Sequence, residues 1–476
     1  RWSVPLAPVA MSLVLGSGCS LFRPSPPAPA PAIGWRGDGS GVFPGANPPI
    51  DFSPTENVVW QTALPSTGNA TPVVVGDRVF VTSEPTTLMA LRTEDGAVLW
   101  ERDVNAFDLL SPTDQAQVAP YLADALTLAA RERAAQAKME ALRAADPEGS
   151  GDPAAAAEVL EELAQVWAVR KALAPLFPQV DESVGAAAST PVSDGRRVYV
   201  LFANDLVASF DLEGNRLWTR HLPRGADQPY PQGASMRLAG SRLIVPLGHL
   251  QALDAETGAT IWTDDAPFLA WGTPLVVDIA GVPAVVTGGG RALAIDDGRP
   301  LARNLPVLDC VGPITDGRAL VFLGGGGPGG APFVADAFDL TTPADAAGEL
   351  TRLWHLDLES PQEVIASPLL VGGKIFAAHR GAAATVIDLA SGTVERDIAA
   401  PESGTGLAWA SPIAADGRVY ASPGEGKILV FDTATWEVIA SNPIEPFNAS
   451  PVAVGDRLYV RGNEHLYAFA APAAGR

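Results

Sequence analysis

The chain is poor in the residues that carry thiol and metal chemistry. Its 476 residues include two cysteines, Cys19 and Cys310, and five histidines. Cys19 lies in an N-terminal segment that reads as processed, which leaves one cysteine downstream and no intrachain disulfide. Cys310 is expected to be a small buried apolar residue, because a catalytic thiol needs a histidine and an electropositive setting, and none is visible around it. No Cys-x-x-Cys or His-x-x-x-His spacing occurs, so no zinc site is expected. Positive charge is also scarce: 32 Lys and Arg stand against 54 Asp and Glu, a formal net charge of −22. A phosphate backbone repels such a surface, which excludes nucleic acid as a partner. Beyond the N-terminus there is no run of about 18 apolar residues that would span a bilayer as a helix.

The N-terminus reads as an address. Val4–Leu15, VPLAPVAMSLVL, is an apolar run of signal-peptide length. Gly16-Ser17-Gly18-Cys19 follows and resembles a bacterial lipobox, with Cys19 as the lipidation site. Gly16 stands where Leu is usual, and Leu15 is one step further away. Ser20 after the cysteine favours the outer membrane by the same resemblance. Pro24–Ala32, PSPPAPAPA, is a semi-rigid polyproline spacer suited to lifting a domain off a membrane. The alternative is an ordinary secretory signal, with a secreted or periplasmic product.

What the chain has in abundance is glycine (47), proline (43) and a repeat of about 43 residues. Val79–Trp100, Val198–Trp218 and Val245–Trp262 each read as strand, break, strand ending near a polar or acidic residue, glycine turn, and strand ending in Trp. A strand-built period of this length implies radial repetition, a β-propeller. Eight repeat starts precede apolar strands: Ala70-Thr71-Pro72, Ser189-Thr190-Pro191, Ala234-Ser235-Met236, Gly272-Thr273-Pro274, Val311-Gly312-Pro313, Ala366-Ser367-Pro368, Ala410-Ser411-Pro412 and Ala449-Ser450-Pro451. Proline is tolerated at the first residue of a strand. The last copy stops at LYAFA, without its Trp strand, whereas Asn57–Gln61 has the form of a fourth strand with no blade of its own. Pairing it with Leu466–Phe469 closes the ring and removes exposed edges. The expected fold is therefore all-β: an eight-bladed propeller of four-stranded blades closed by the N- and C-terminal strands.

The phrase ALDAETGATIW at Ala252–Trp262 resembles the docking motif of PQQ-binding-like (quinoprotein-type) β-propellers. That resemblance implies that Trp100, Trp218, Trp262 and Trp354 pack between neighbouring blades while glycine makes the turn. Leu301, Arg396 and Ala440 stand near the equivalent place in three other blades. Gly34–Gly45, GWRGDGSGVFPG, resembles the lead-in segment of such propellers.

One insertion interrupts the array within Glu101–Ala188. Asp114–Ala145 is rich in helix formers, with Pro120 marking a start or kink. After the breaker DPEGSGDP, Ala154–Ala174 places Leu160, Leu163, Val166 and Trp167 on one helical stripe. An α-helical hairpin between the first and second blades is expected, either packed on the disc or acting as a lid or partner-docking element. The resulting divisions are a signal segment (1–19), a Pro-rich tether (20–33), lead-in, closing strand and first blade (34–100), helical insert (101–188), remaining blades (189–470) and tail (471–476).

Catalytic members of the resembled family imply PQQ, a calcium ion held by acidic and amide side chains, an Asp base, a Trp floor and often vicinal cysteines. No Cys-Cys pair exists here, and no such ligand set can be placed on a segment. Trp271 (LAWGTP) and Trp409 (LAWASP) precede inner strands and are candidates for a stacking surface at the channel rim, against a plain packing role. Asn69 and Asn448 hold matching positions and either hydrogen-bond in the funnel or cap turns. The run Gly324–Gly330 lacks the Lys-Ser/Thr and helix of a phosphate loop. His379, at a strand end, has no neighbouring carboxylate in sequence.

No catalytic, cofactor or metal residue is therefore assigned. The resulting expectation is a non-catalytic, monomeric envelope lipoprotein on the periplasmic side of the outer membrane, binding a protein or peptide. It is similar to the propeller lipoprotein of the outer-membrane β-barrel assembly machinery. The alternatives are a PQQ- and calcium-dependent dehydrogenase and a propeller that binds carbohydrate or another small ligand.

Overall fold

A computed structural model describes residues 33–107, 110–125, 127–145, 153–173, 184–222, 233–267, 271–308, 310–324, 333–358, 364, 366–379, 384–399, 409–424 and 426–472. Cys19, the signal segment, the tether up to residue 32 and most of the Gly324–Gly330 run lie outside the described residues. The repeats form eight four-stranded antiparallel sheets. Blade 1 covers 73–103, blade 2 192–221, blade 3 237–267, blade 4 275–302, blade 5 314–357, blade 6 369–398 and blade 7 413–443. Blade 8 takes three strands from 452–470 and its outer strand, Val58–Ala63, from the other end of the chain. Trp60 pairs with Ala468, Gln61 with Tyr467 and Thr62 with Leu466, so the ring closes as the orphan strand implied.

Burial follows from position in the blade. The second and third strands are covered by neighbouring blades on both faces and read as continuous apolar runs, as in Arg197–Phe202 and Leu206–Asp211. Outer strands alternate, as in Arg352–Asp357, because one face meets solvent. The acidic residue of the repeat phrase caps the turn before the outer strand. In blade 3, Asp254 accepts from the Thr257 hydroxyl (2.8 Å) and the Thr257 N–H (2.9 Å), ahead of Gly258 at φ 71°. These bonds hold its carboxyl below the usual range.

The tryptophans lock successive blades. Trp100, Trp218, Trp262 and Trp354 donate their indole N–H to Leu212, Ala255, Ile295 and Leu389 of the next blade at 3.0, 3.2, 2.8 and 2.7 Å. Trp60, in the closing strand, does the same to Thr93 at 2.8 Å. Each ring lies on the turn glycine of that blade: a Cβ at Gly258 would stand 2.8 Å from Trp218, and one at Gly392 2.5 Å from Trp354. Only glycine fits under the indole.

The three departures have physical reasons. Beside Arg396 of blade 6, the turn of blade 7 carries Trp436 where glycine stands elsewhere, at φ 58°. Its N–H bonds Asp432 O, as Gly258 bonds Asp254 O and Gly392 bonds Asp388 O. Its indole stacks on Phe376 (5.8 Å, 19°), so the ring missing from blade 6 is supplied by the facing turn. Arg396 in turn donates to the Thr435 carbonyl. Ala440 faces blade 8, which lacks this turn because its third and fourth strands come from opposite chain ends. Asn442 there bonds Ile50 O and Phe52 N, both at 2.8 Å, and Phe52 packs against Phe469 at 4.9 Å. Leu301 meets the longer turn of blade 5, which is tied back by Arg303 N to Gly348 O at 2.7 Å.

The insert leaves the outer strand of blade 1 and returns to the inner strand of blade 2. It contains helices at Pro112–Val118, Leu122–Ala125, Leu128–Ala145 and Pro153–Ala172. The first stretch is thus broken around Pro120, and the 3-10 turn Ala119–Tyr121 carries the kink. The two long helices run antiparallel, joined by Arg131–Glu162 (2.8 Å), Lys138–Glu158 (3.1 Å) and an Arg170–Glu132 pair. Val159 is buried, and Val166 and Leu173 are buried and packed with Val118 and Leu128. The expected stripe therefore splits: Val166 points inward, whereas Leu160 (58% exposed) and Trp167 (59%) face solvent.

Candidate functional site

Each inner strand begins at the central channel, and the middle residue of the repeat-start triplet ties blade to blade there. Thr71 N donates to the Thr190 hydroxyl (3.1 Å), Thr190 N to Ser235 (3.0 Å) and Ser235 N to Thr273 (3.0 Å). Beyond blade 5, Gly312 N donates to Ser367, Ser367 N to Ser411 and Ser411 N to Ser450, each at 3.0 Å. Gly312 supplies no hydroxyl to blade 4. There the backbones close directly: a Cβ at Gly272 would lie 2.1 Å from Val311 O, and one at Gly312 2.6 Å from Thr273 O.

This ring surrounds a cavity of about 150 Å³. Its wall holds all four rim candidates, Trp271, Trp409, Asn69 and Asn448, together with Trp35, Cys310 and the ring hydroxyls. Asn448 donates to Asn69 Oδ1 (3.2 Å) across the closure of blades 8 and 1, and Asn69 donates to Val184 O (2.9 Å) on the returning leg of the insert. The two amides are therefore hydrogen-bonded to one another on the cavity wall. Trp409 is 41% exposed at the mouth. Cys310 is half-buried on the wall rather than sealed in a core. Trp271, Trp409 and Val184 all lie on connections from one blade's outer strand to the next blade's inner strand, so the helical insert rises from this same face.

The lead-in segment closes the far side. It bridges Ile33 to Ser193 of blade 2 and Val42 to Ala414 of blade 7, crossing the channel between them. Arg36 is fully buried and donates to Pro368 O (2.9 Å) and Pro412 O (3.0 Å). Arg237 donates to Pro274 O (2.9 Å). Both guanidinium groups sit over the Trp35 ring, at 5.2 and 5.7 Å. Burial, followed by the charge of Arg237, pulls Arg36 down to about 9; burial pulls Arg237 to about 10, so both stay protonated at neutral pH. Gly39 and Gly41 wrap them so closely that a Cβ on either would clash with a guanidinium.

Two further groups lie away from the cavity. His379 is buried, with Nε2 2.8 Å from the Thr385 hydroxyl, which donates to Asp397 at 3.0 Å. Phe333 of blade 5 covers it edge-on. Because the Thr385 proton goes to Asp397, His379 Nε2 carries a proton and donates. Burial pushes His379 below its ordinary value. Glu445, Glu464 and His465 cluster in blades 7 and 8, but Glu445 already accepts from Glu464 N, His465 N, His465 Nδ1 and Tyr467 Oη. It serves as a blade-to-blade cap.

The described cavity wall contains no carboxylate and no cationic side chain. Calcium is a hard cation that takes oxygen ligands including carboxylates, and PQQ is a tricarboxylate that calls for cationic partners. The donor set of the described wall, neutral hydroxyls and amides, fits neither.

A family model described as outer membrane protein assembly factor BamB matches residues 50–149 and 247–472. No curated protein matches the sequence. Among solved structures, BamB from Moraxella catarrhalis is 12% identical with a TM-score of 0.54, over 87% of this chain and 99% of that one. A europium-containing methanol dehydrogenase is 11% identical with a TM-score of 0.53, over 88% and 95%. The computationally designed protein Ika8 is 8% identical with a TM-score of 0.52, over 87% and 99%. These likenesses carry the fold alone, since a BamB, a methanol dehydrogenase and a computationally designed protein all share it.

Proposed function

This chain belongs to the outer membrane protein assembly factor BamB family of PQQ-repeat propellers, and on that premise we propose that it is a non-catalytic protein-binding scaffold of the bacterial envelope. The observation that carries the reading is the face built around the channel mouth. Its described lining is neutral, and beside it stands a helical hairpin bearing solvent-facing Leu160 and Trp167. Exposed aromatic and aliphatic side chains seven residues apart on one helix form a ridge of the kind that anchors protein interfaces. No helix among the described residues is long and apolar enough to cross a membrane. In this reading membrane attachment comes from a lipid on Cys19 through the Pro-rich tether, on the periplasmic side of the outer membrane. The propeller acts as a monomer, without PQQ or calcium, and its partner is a protein of the outer-membrane assembly apparatus.

The test is site-specific photocrosslinking in cells, with the crosslinker at Trp167 on the insert and, for comparison, at Val394 on the outer strand of blade 6. The account expects a discrete envelope protein captured from Trp167 and not from Val394. Equal capture from both positions, or none from Trp167, would overturn it.

A further inference from the structure

We propose that the cavity at the channel mouth is a binding site for one neutral sugar ring. Three observations converge on it. First, size: at about 150 Å³ the cavity is smaller than the roughly 300–1,000 Å³ of sites for larger ligands, so it takes a single ring rather than an extended molecule. Second, charge: the described wall is made of tryptophan, amide, hydroxyl, thiol and small residues, so neither an anion nor a cation finds an ion-pair partner there.

Third, hydrogen-bonding inventory. Each ring hydroxyl that accepts a neighbouring backbone N–H keeps its own proton to donate, because a hydroxyl has one donor and two acceptor sites. Asn448 adds an amide whose oxygen remains available after its nitrogen bonds Asn69. The mouth therefore offers donors and acceptors around an aromatic rim formed by Trp271 and Trp409. A pyranose matches this directly, with hydroxyls on its edge and an apolar C–H face for an indole. An amino-acid side chain brings one or two polar groups and would match fewer of these donors and acceptors. The buried pair Arg36 and Arg237, held by carbonyls beneath Trp35, keeps the aromatic floor in place and is not itself exposed to the ligand.

The inference stands apart from the partner-binding reading, since a sugar can occupy the mouth whatever the insert holds. It is tested on the purified full chain with methyl glycosides of neutral hexoses and N-acetylhexosamines. Cys310 lies on the cavity wall, so its alkylation rate, read by mass spectrometry at that residue, reports occupancy; saturation-transfer NMR reports the glycoside directly. The expected result is saturable protection of Cys310 by at least one glycoside. Trp409→Ala, at an exposed position, and Asn448→Ala should each weaken that protection by about tenfold. No protection across the panel, or protection unchanged in both variants, would overturn the proposal. So would protection by N-acetyl-tryptophanamide and by no glycoside, which would make the cavity a socket for a partner's side chain.

Discussion

The exchange of Trp436 for a turn glycine can be reversed, and the reversal gives a quantitative test of how the blades dock. Trp436→Gly removes a 9%-exposed indole that stacks on Phe376. Truncating a buried aromatic costs about 3–5 kcal/mol. Relieving a non-glycine residue at positive φ returns about 1 kcal/mol, which leaves a net loss of about 2–4 kcal/mol. Arg396→Trp alone drives a second indole against Trp436 and should cost about 1–3 kcal/mol through overpacking. The double variant rebuilds the Trp-on-glycine arrangement of blades 1, 2, 3 and 5 and should recover to within about 1 kcal/mol of the parent. The assay is urea unfolding of the four proteins at constant m-value. If the two losses simply add, Trp436 is not standing in for the missing blade-6 tryptophan and the docking argument fails.

Other expectations follow from the same geometry. Gly272→Ala should destabilise by about 3 kcal/mol, because its Cβ meets the Val311 carbonyl, whereas Gly289→Ala, whose Cβ meets only Thr287 Oγ1 at 3.6 Å, should be near neutral; thermal melts distinguish them. Trp262→Ala should cost about 3–5 kcal/mol and split the unfolding transition near blades 3 and 4, seen by hydrogen exchange. His355 and His379 should titrate in opposite directions by NMR. His355, bonded to Asp336, is raised, so its contribution is present below its unfolded pKa and lost as pH climbs through the folded value. His379 is lowered by burial, so its contribution is present above its unfolded pKa and lost as pH falls through the folded value. Identical titrations would refute the burial argument.

The fold was legible because its signals are local and repeated. A strand-opening proline, an Asp-to-Gly turn and a docking Trp sit within one repeat, and the unpaired strand at Asn57–Gln61 pointed to its partner at the other terminus. Trp271, Trp409, Asn69 and Asn448 hold equivalent places before inner strands, and for that reason the ring brings them to the wall of one cavity; that they bind a ligand is the proposal above. What sequence reading missed depends on contacts between blades. The triplet hydroxyls show their purpose only when a neighbour's N–H arrives, and Trp436 looks like an anomaly until Arg396 is seen across from it. Arg36 and Arg237 are more than 200 residues apart and meet only because the lead-in segment crosses the channel. The insert stripe was misjudged because periodicity finds the apolar residues of a helix but not which of them the partner helix covers.

The most direct measurement on the central claim is titration of the purified chain with PQQ and calcium, followed by dye reduction with simple alcohols and aldoses. The account predicts no stoichiometric binding and no turnover, because the described mouth offers neither carboxylates for the ion nor cations for the quinone. Stoichiometric binding with turnover would contradict it and make the chain a quinoprotein oxidoreductase.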